Sequence, residues 1–401
     1  MLEIAMPGPK TSFSEPTAHE PAAPSRIAYM ENALGIPFTY GNTVEPLENG
    51  DEIFPAMLSA IRSSHDHIEL LTYIYWTGDV AKEFADALSE RAMAGVTVRV
   101  VLDSFGCADM KREFIDEMIE AGVHVQWFRS VRKSVLKFDW RTHRKILICD
   151  GRIGFTGGVG IAAEWEGDAR NPDEWRETHF CIRGPAVKAL SGAFWDNWVE
   201  ESPIPLKLMT ANPNERPNGI PLQVVRSNSG YRTSDAYKVL CALISLATER
   251  LDIVSPYFVP EPTLLRQLCE RAENGVRVRI LIPDTYTDKR FERVESARYF
   301  DDLLQAGAEI HLYKKTMIHT KMVLCDEQLG LFGSINFNRR SLLKDEEIGV
   351  VVGSSSFVQR MREIYEGDLK HAVRLDPKQW RGPSATEVLL QQLMTPFRDQ
   401  L

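Results

Sequence analysis

Residues 142–158 read THRKILICDGRIGFTGG, and residues 318–334 read IHTKMVLCDEQLGLFGS. Laid over one another they share the spacing His-x-Lys-x4-Asp-x6-Gly. The first copy holds His143, Lys145, Asp150, Gly157 and Gly158; the second holds His319, Lys321, Asp326, Gly333 and Ser334. One such match is a hypothesis, but two with similar flanks, 176 residues apart, are a duplication. In extended chain, residues i and i+2 share a face, so each histidine projects beside its lysine while Arg144 and Thr320 point the other way. The apolar runs ILIC and MVLC then read as a buried strand. A turn (DGR or DEQ) leads into a second strand that ends in small residues.

The duplication reaches well beyond the motif. IELLTYIYW (68–76) echoes LDIVSPYFV (251–259), SERAMAGVTVRVVL (89–102) echoes CERAENGVRVRILI (269–282), and IEAGVHVQWF (119–128) echoes LQAGAEIHLY (304–313). Each half alternates apolar strands with helix-length amphipathic segments, which predicts an α/β layer structure: a mixed β-sheet flanked by helices, made twice. Gly95, Gly122, Gly275 and Gly307 stand where helices should end. The expected organisation is a flexible, proline-containing extension (1–40), a first half (41–202), a linker with five prolines (203–221), a second half (222–375) and a C-terminal tail (376–401). A helix near 384–398 is expected to pack on one half, without indication of which.

Composition narrows the class. With 401 residues and 44% apolar content the chain can bury a large core. A net charge of −9 argues against a general polyanion binder, so nucleic acid is not the expected partner. The six cysteines lack CxxC or CxxH spacing; Cys149 and Cys325, each just before a motif aspartate, read as small buried strand residues. No apolar run approaches the ~18 residues of a spanning helix. His65 and His67 (HDH) lack a third ligand at a recognisable spacing and read as a solvated loop, so no metal or other cofactor is expected.

The double motif resembles that of the phospholipase D superfamily over residues 40–372. YFVP (257–260), GSINFNRRS (333–341), THRK (142–145) and WRETHFCIRGPAV (175–187) are similar to the cardiolipin synthase branch. The resemblance implies two halves about a pseudo-two-fold axis, one shared site, and phosphodiester exchange through a phosphohistidine without a metal. It also implies that the N-terminal histidine, His143, is the nucleophile.

The chemistry can be reasoned alongside. An imidazole is nucleophilic only when neutral and of the right tautomer, which calls for an acceptor on its second nitrogen. Glu177 and Glu347, at equivalent strand starts 34 and 28 residues after the histidine of their own half, suit that role. Lys145 and Lys321 are expected on the non-bridging phosphate oxygens, with Ser334 and Asn336 as further donors and Gly158 letting backbone N–H groups approach. Asp150 and Asp326 complete the motif and are counted with the catalytic set, although a turn four residues past the lysine suggests a structural part. One departure stands out: where the second half has Asn336, the first has Gly160.

The expected activity is therefore phosphatidyl transfer, with phosphatidylglycerol as the expected substrate. The alternatives are a phospholipase D that hydrolyses phospholipids, a nuclease of the same superfamily, or a membrane-surface binding protein with a decayed site. The expected location is cytoplasmic, in peripheral contact with an anionic membrane. The segment 129–145 holds eight basic residues, of which Arg129, Arg132, Lys133 and Lys137 are expected to meet headgroups, with Trp140 beside them. Nothing in the sequence sets an oligomeric state.

Overall fold

The computed structural model describes residues 22–130, 139–202, 219–228 and 234–394. The first half contributes β1 (Thr39–Glu48), β2 (His67–Thr72), β3 (Thr97–Asp103), β4 (His124–Phe128), β5 (Ile146–Cys149), β6 (Ile153–Gly157) and β7 (Thr178–Arg183). The second contributes β8 (Ile220–Ser227), β9 (Arg250–Val254), β10 (Arg277–Pro283), β11 (Glu309–Tyr313), β12 (Met322–Cys325), β13 (Leu329–Gly333) and β14 (Glu347–Gly353), followed by a short β15 (Ala372–Arg374).

All of these join in one sheet, ordered β15-β11-β10-β9-β12-β13-β14-β8-β1-β7-β6-β5-β2-β3-β4. Apart from β15 the order is a palindrome about the antiparallel β8–β1 pair. In each half three parallel strands (β2-β3-β4 and β9-β10-β11) lie outermost, and antiparallel strands run inward to the junction. The expected pseudo-two-fold is thus built into strand pairing, and the two mixed sheets are continuous.

The parallel strands require crossovers, and helices supply them. Asp79–Met93 and Arg112–Glu120 cross in the first half, and Pro262–Glu273 crosses in the second. The last begins with proline at its first position and the Glu261 carboxylate on the Thr263 N–H, a self-contained N-terminal cap. Gly95, Gly122, Gly275 and Gly307 all have φ between 89° and 98°, the left-handed turn that ends a helix. Each half buries an apolar cluster under its own helices. A third cluster is common to both, reaching from Leu71 and Phe194 in one half to Tyr313 and Tyr365 in the other. Phe180 of β7 stacks on Phe332 of β13, centroids 3.6 Å apart, across the junction.

Two boundaries differ from expectation, and the expected C-terminal helix takes the second half. Within the presumed flexible stretch 1–40, Pro24–Leu34 is a helix whose Ile27, Met30 and Leu34 are buried in the second half's core, and β1 already begins at Thr39. Its apolar positions recur at helical spacing, a signal masked by the proline-rich sequence around it. Within the presumed linker, Ile220 and Pro221 belong to β8, while 203–218 lies outside the described residues. Within the C-terminal tail, Trp380 packs on Phe300, and the helix Ala385–Met394 docks on the second half, where Gln391 Nε2 donates to the Val294 carbonyl at 2.7 Å.

Candidate active site

The two histidines stand just before β5 and β12 rather than inside them, on extended segments that pair with the opposite half. His143 N–H donates to the Glu346 carbonyl and His319 N–H to the Arg176 carbonyl, both at 2.8 Å. This pairing carries the side chains across as well. His143 Nδ1 lies 3.1 Å from each carboxylate oxygen of Glu347, and His319 Nδ1 lies 2.8 Å from Glu177 Oε2. Each histidine is therefore held by the glutamate of the other half, not of its own as the repeat spacing suggested. Both pairings satisfy the same sequence positions, so only the fold distinguishes them.

Electrostatics prepare both rings. His143 is pushed well below the ordinary imidazole range by burial and by Lys145 and Lys321. His319 falls to about 4, through burial and Lys321. Both are neutral near pH 7, and with Nδ1–H on a carboxylate the lone pair is left on Nε2. The carboxylates differ. Burial alone would raise Glu177, but the His319 hydrogen bond and Lys321 bring it down to about 2. For Glu347 burial prevails over Lys145 and the Ser334 and Ser341 hydroxyls, and it rises to about 7. Burial also brings Lys145 down to about 7 and Lys321 to about 8. Lys145 Nζ donates to the His143 carbonyl at 2.7 Å and Lys321 Nζ to the His319 carbonyl at 2.6 Å, so each lysine is tethered beside its ring.

Both histidines open on one cleft of about 580 Å³, which Lys145 and Asn336 also line. Several residues expected there are placed elsewhere. Ser334 donates its hydroxyl to Glu347, so it orients the carboxylate and not a phosphate. Gly158, its counterpart, makes room: a Cβ there would lie 2.3 Å from Glu177 Oε2. Asp150 and Asp326 leave the cleft altogether. Asp150 accepts from the backbone N–H groups of His65, Asp66 and His67, and Asp326 from those of Thr248, Glu249 and Arg250. Each aspartate clamps the turn that leads into the strand beside its motif. His67 in turn is buried at the start of β2, its Nδ1 3.1 Å from Asp66, instead of lying in a solvated loop.

The basic segment also differs in part. Arg129 is buried, paired with Glu200 at 2.9 Å and Glu346 at 2.7 Å, and so is not presented to a surface. Arg132, Lys133 and Lys137 lie outside the described residues. Trp140 is exposed. Cys149 and Cys325 are buried strand residues.

Sequence reasoning missed the aromatic frame. Tyr73 meets the His143 ring edge-on at 5.1 Å between centroids, and Trp165, Trp175 and Tyr257 surround His319 at 5.2, 5.4 and 6.1 Å. It also missed Ser341, whose hydroxyl gives Glu347 a second donor. Trp165 explains Gly160: a Cβ there would sit 2.9 Å from Trp165 and from Ile74, which fill the space an asparagine would need. The signal available was the glycine itself, since a lost side chain in a packed repeat implies a larger neighbour.

A family model described as cardiolipin synthase, phospholipase D-like domain matches residues 57–170 and 240–369. Cardiolipin synthase 1 of Bacillus anthracis is 31% identical over 372 residues, spanning 90% of this chain and 73% of that protein. The major cardiolipin synthase ClsA of Bacillus subtilis (strain 168) is 31% identical over 339 residues, 83% of this chain and 70% of that one. Among solved structures, a phosphatidylserine synthase of Haemophilus influenzae Rd KW20 superposes with a TM-score of 0.69 at 14% identity, covering 94% of this chain and 100% of its own. A polyphosphate kinase of Porphyromonas gingivalis shares the fold at a TM-score of 0.55 and 12% identity, covering 99% of this chain and 59% of its own.

Proposed function

The chain belongs to the cardiolipin synthase family of phospholipase D-like proteins, and from that premise we propose that it joins two phosphatidylglycerol molecules into cardiolipin and glycerol. The observation that carries this reading is the pair of neutral histidines, each oriented by a glutamate of the opposite half, facing one cleft.

In the first step His143 Nε2 attacks phosphorus, the bond to the headgroup oxygen breaks, and His319 protonates the departing glycerol oxygen. In the second, the hydroxyl of another phosphatidylglycerol gives its proton to His319 and attacks phosphorus, and the P–N bond breaks to return the pair to His143. His319 must hold a proton on Nε2 at the first step, yet it is neutral in the empty cleft. Burial and, after it, Lys321 depress His319; a phosphodiester anion seated by Lys145 and Lys321 offsets the Lys321 part, so substrate binding favours proton uptake there. Lys145, Lys321 and Asn336 then stabilise the charge on the phosphoryl oxygens.

The site is further read as working at the face of an anionic membrane, in peripheral contact on the cytoplasmic side. Phe105 lines the cleft and is 64% exposed, and Trp140 is also exposed. No helix among the described residues is long and apolar enough to cross a membrane. The test is incubation of the purified protein with phosphatidylglycerol vesicles and excess chelator, with products identified by mass. Cardiolipin and glycerol are expected; phosphatidic acid alone would mean a hydrolase, and no lipid turnover would overturn the reading.

A further inference from the structure

The cleft has two unlike walls. Tyr73, Ile74, Trp76, Phe105, Trp165 and Trp175 of the first half make one, predominantly apolar. Asp288, Lys289, Asn336, Asn338, Arg340 and Asp345 of the second make the other. The contrast is anchored at a single repeat position, Gly160 against Asn336. At Gly160 the aromatic wall closes over the backbone, whereas at Asn336 an amide faces the cleft.

The polar wall is charged but paired. Arg340 Nη2 sits 3.0 Å from Asp345 Oδ1, Lys289 Nζ lies 3.2 Å from Glu292, and Asp288 accepts from the Tyr257 hydroxyl at 2.7 Å. Asp345 is buried beside the cleft, and desolvation lifts it to about 7 despite Arg340. A wall whose charges are balanced offers little net field to a cationic or anionic headgroup. It still offers carboxylate and amide oxygens as acceptors and N–H groups as donors at short range, the complement of a neutral polyol. A second observation points the same way. Asn336 is only 4% exposed, and its Oδ1 has no hydrogen-bond partner among the described residues. A buried acceptor left unpaired is costly, and an alcohol O–H entering the cleft would pair it.

We propose that this second-half wall is the acceptor subsite, that it holds the hydroxyls of a glycerol-type headgroup, and that it thereby favours transfer over hydrolysis. The proposal rests on the phosphatidyl-transfer reading above. Displacement at phosphorus is in line, so the attacking oxygen enters where the leaving oxygen departed. One subsite therefore receives the glycerol that leaves and then the glycerol that attacks. A polyol can satisfy several of the wall's polar groups at once and water cannot, and sites built to pair hydroxyls discriminate strongly against ligands lacking them.

The experiment uses the full chain with phosphatidylglycerol vesicles and reads the ratio of cardiolipin to phosphatidic acid. In Asp345→Asn and Asp288→Asn that ratio should fall by about tenfold, the effect of one charge-assisted hydrogen bond lost from the acceptor. Trp76→Ala, on the opposite wall, should slow lipid consumption and leave the ratio in place. Lys289→Met supplies a third test on the polar wall should either aspartate variant fail to fold, with the same direction expected. A ratio unmoved in the folded polar-wall variants, or moved equally by Trp76→Ala, overturns the subsite. Wild-type protein that makes neither product overturns the phosphatidyl-transfer reading instead.

Discussion

The two halves of the site keep the same histidine, lysine and glutamate and surround them differently. His143 and His319, Lys145 and Lys321, and Glu177 and Glu347 occupy matching positions of the repeat, but Gly158 and Gly160 in the first half correspond to Ser334 and Asn336 in the second. In the first half both glycines yield space, one to Glu177 and the other to Ile74 and Trp165. In the second half Ser334 and Ser341 hold Glu347 with their hydroxyls. The same duplication therefore gives one histidine a low-lying carboxylate at about 2 and the other a carboxylate at about 7 that two serines must steady. Chemistry that needs two imidazoles in different roles can be built from a symmetric fold by altering only what packs beside each.

The largest expected effect tests how the halves are joined. Replacing either glutamate with glutamine should lower kcat by roughly 10²- to 10⁴-fold, as for other carboxylates that fix a histidine tautomer. If the pairing is crosswise, Glu177→Gln should shift the Nδ1–H proton resonance of His319 and leave that of His143 in place, and Glu347→Gln should behave conversely. Own-half pairing gives the opposite pattern. Rapid quenching with labelled lipid should trap phosphatidyl label on His143, with more in His319→Ala; label on His319 would exchange the two roles.

A smaller effect concerns pH. On the proposed mechanism His319 carries a proton to release the alcohol, and in the free protein burial and Lys321 bring its value down to about 4. Since kcat/KM reports free enzyme, it should decline with rising pH above that value, about tenfold per unit. In the complex the substrate anion offsets Lys321 and raises the histidine, so the descending limb of kcat should lie at higher pH. Coincident limbs in the two profiles would show that substrate does not load the proton on His319.

Much of this arrangement is legible in the sequence alone. The duplication, the α/β layers and the helix-ending glycines are local patterns, written in consecutive residues, and Cys149 and Cys325 could be placed in strands from their neighbours alone. The exchange of glutamates was not legible, because it depends on which half β5 and β12 approach, and the repeat makes both choices look identical. The aromatic frame was hidden for a related reason: Trp165 and Trp175 stand in a loop region with no periodicity to aim them. The docked helix Pro24–Leu34 escaped because its burial comes from the far half of the chain. Ser334 reads as a phosphate donor from its place in the motif, and its tertiary hydrogen bond to Glu347 redirects it; the motif aspartates, counted with the catalytic set although their turn suggests a structural part, clamp turns.

The smallest difference separates those two aspartates. Both have a positive φ, 54° at Asp150 and 50° at Asp326, which aspartate and asparagine tolerate better than most side chains. Substitution by asparagine therefore retains the turn while it removes the charge and turns one acceptor oxygen into an NH2 donor. Each aspartate accepts three backbone N–H groups, but Asp326 also holds Arg26 of the N-terminal helix. Asp150→Asn should cost about 1 kcal/mol in denaturant unfolding, and Asp326→Asn about 1 kcal/mol more through the lost ion pair. For Asp326, burial works against ionisation, but the backbone N–H groups and Arg26 prevail and its pKa is lowered. A carboxylate with a lowered folded pKa contributes stability above its unfolded value, and that contribution fades as pH falls through the folded one. The gap between wild type and Asp326→Asn should accordingly be full near pH 7 and close below about pH 4, the ordinary aspartate range. Equal losses in the two variants, or a gap for Asp326→Asn that persists in acid, would show that the Arg26 contact does not hold the helix to the second half.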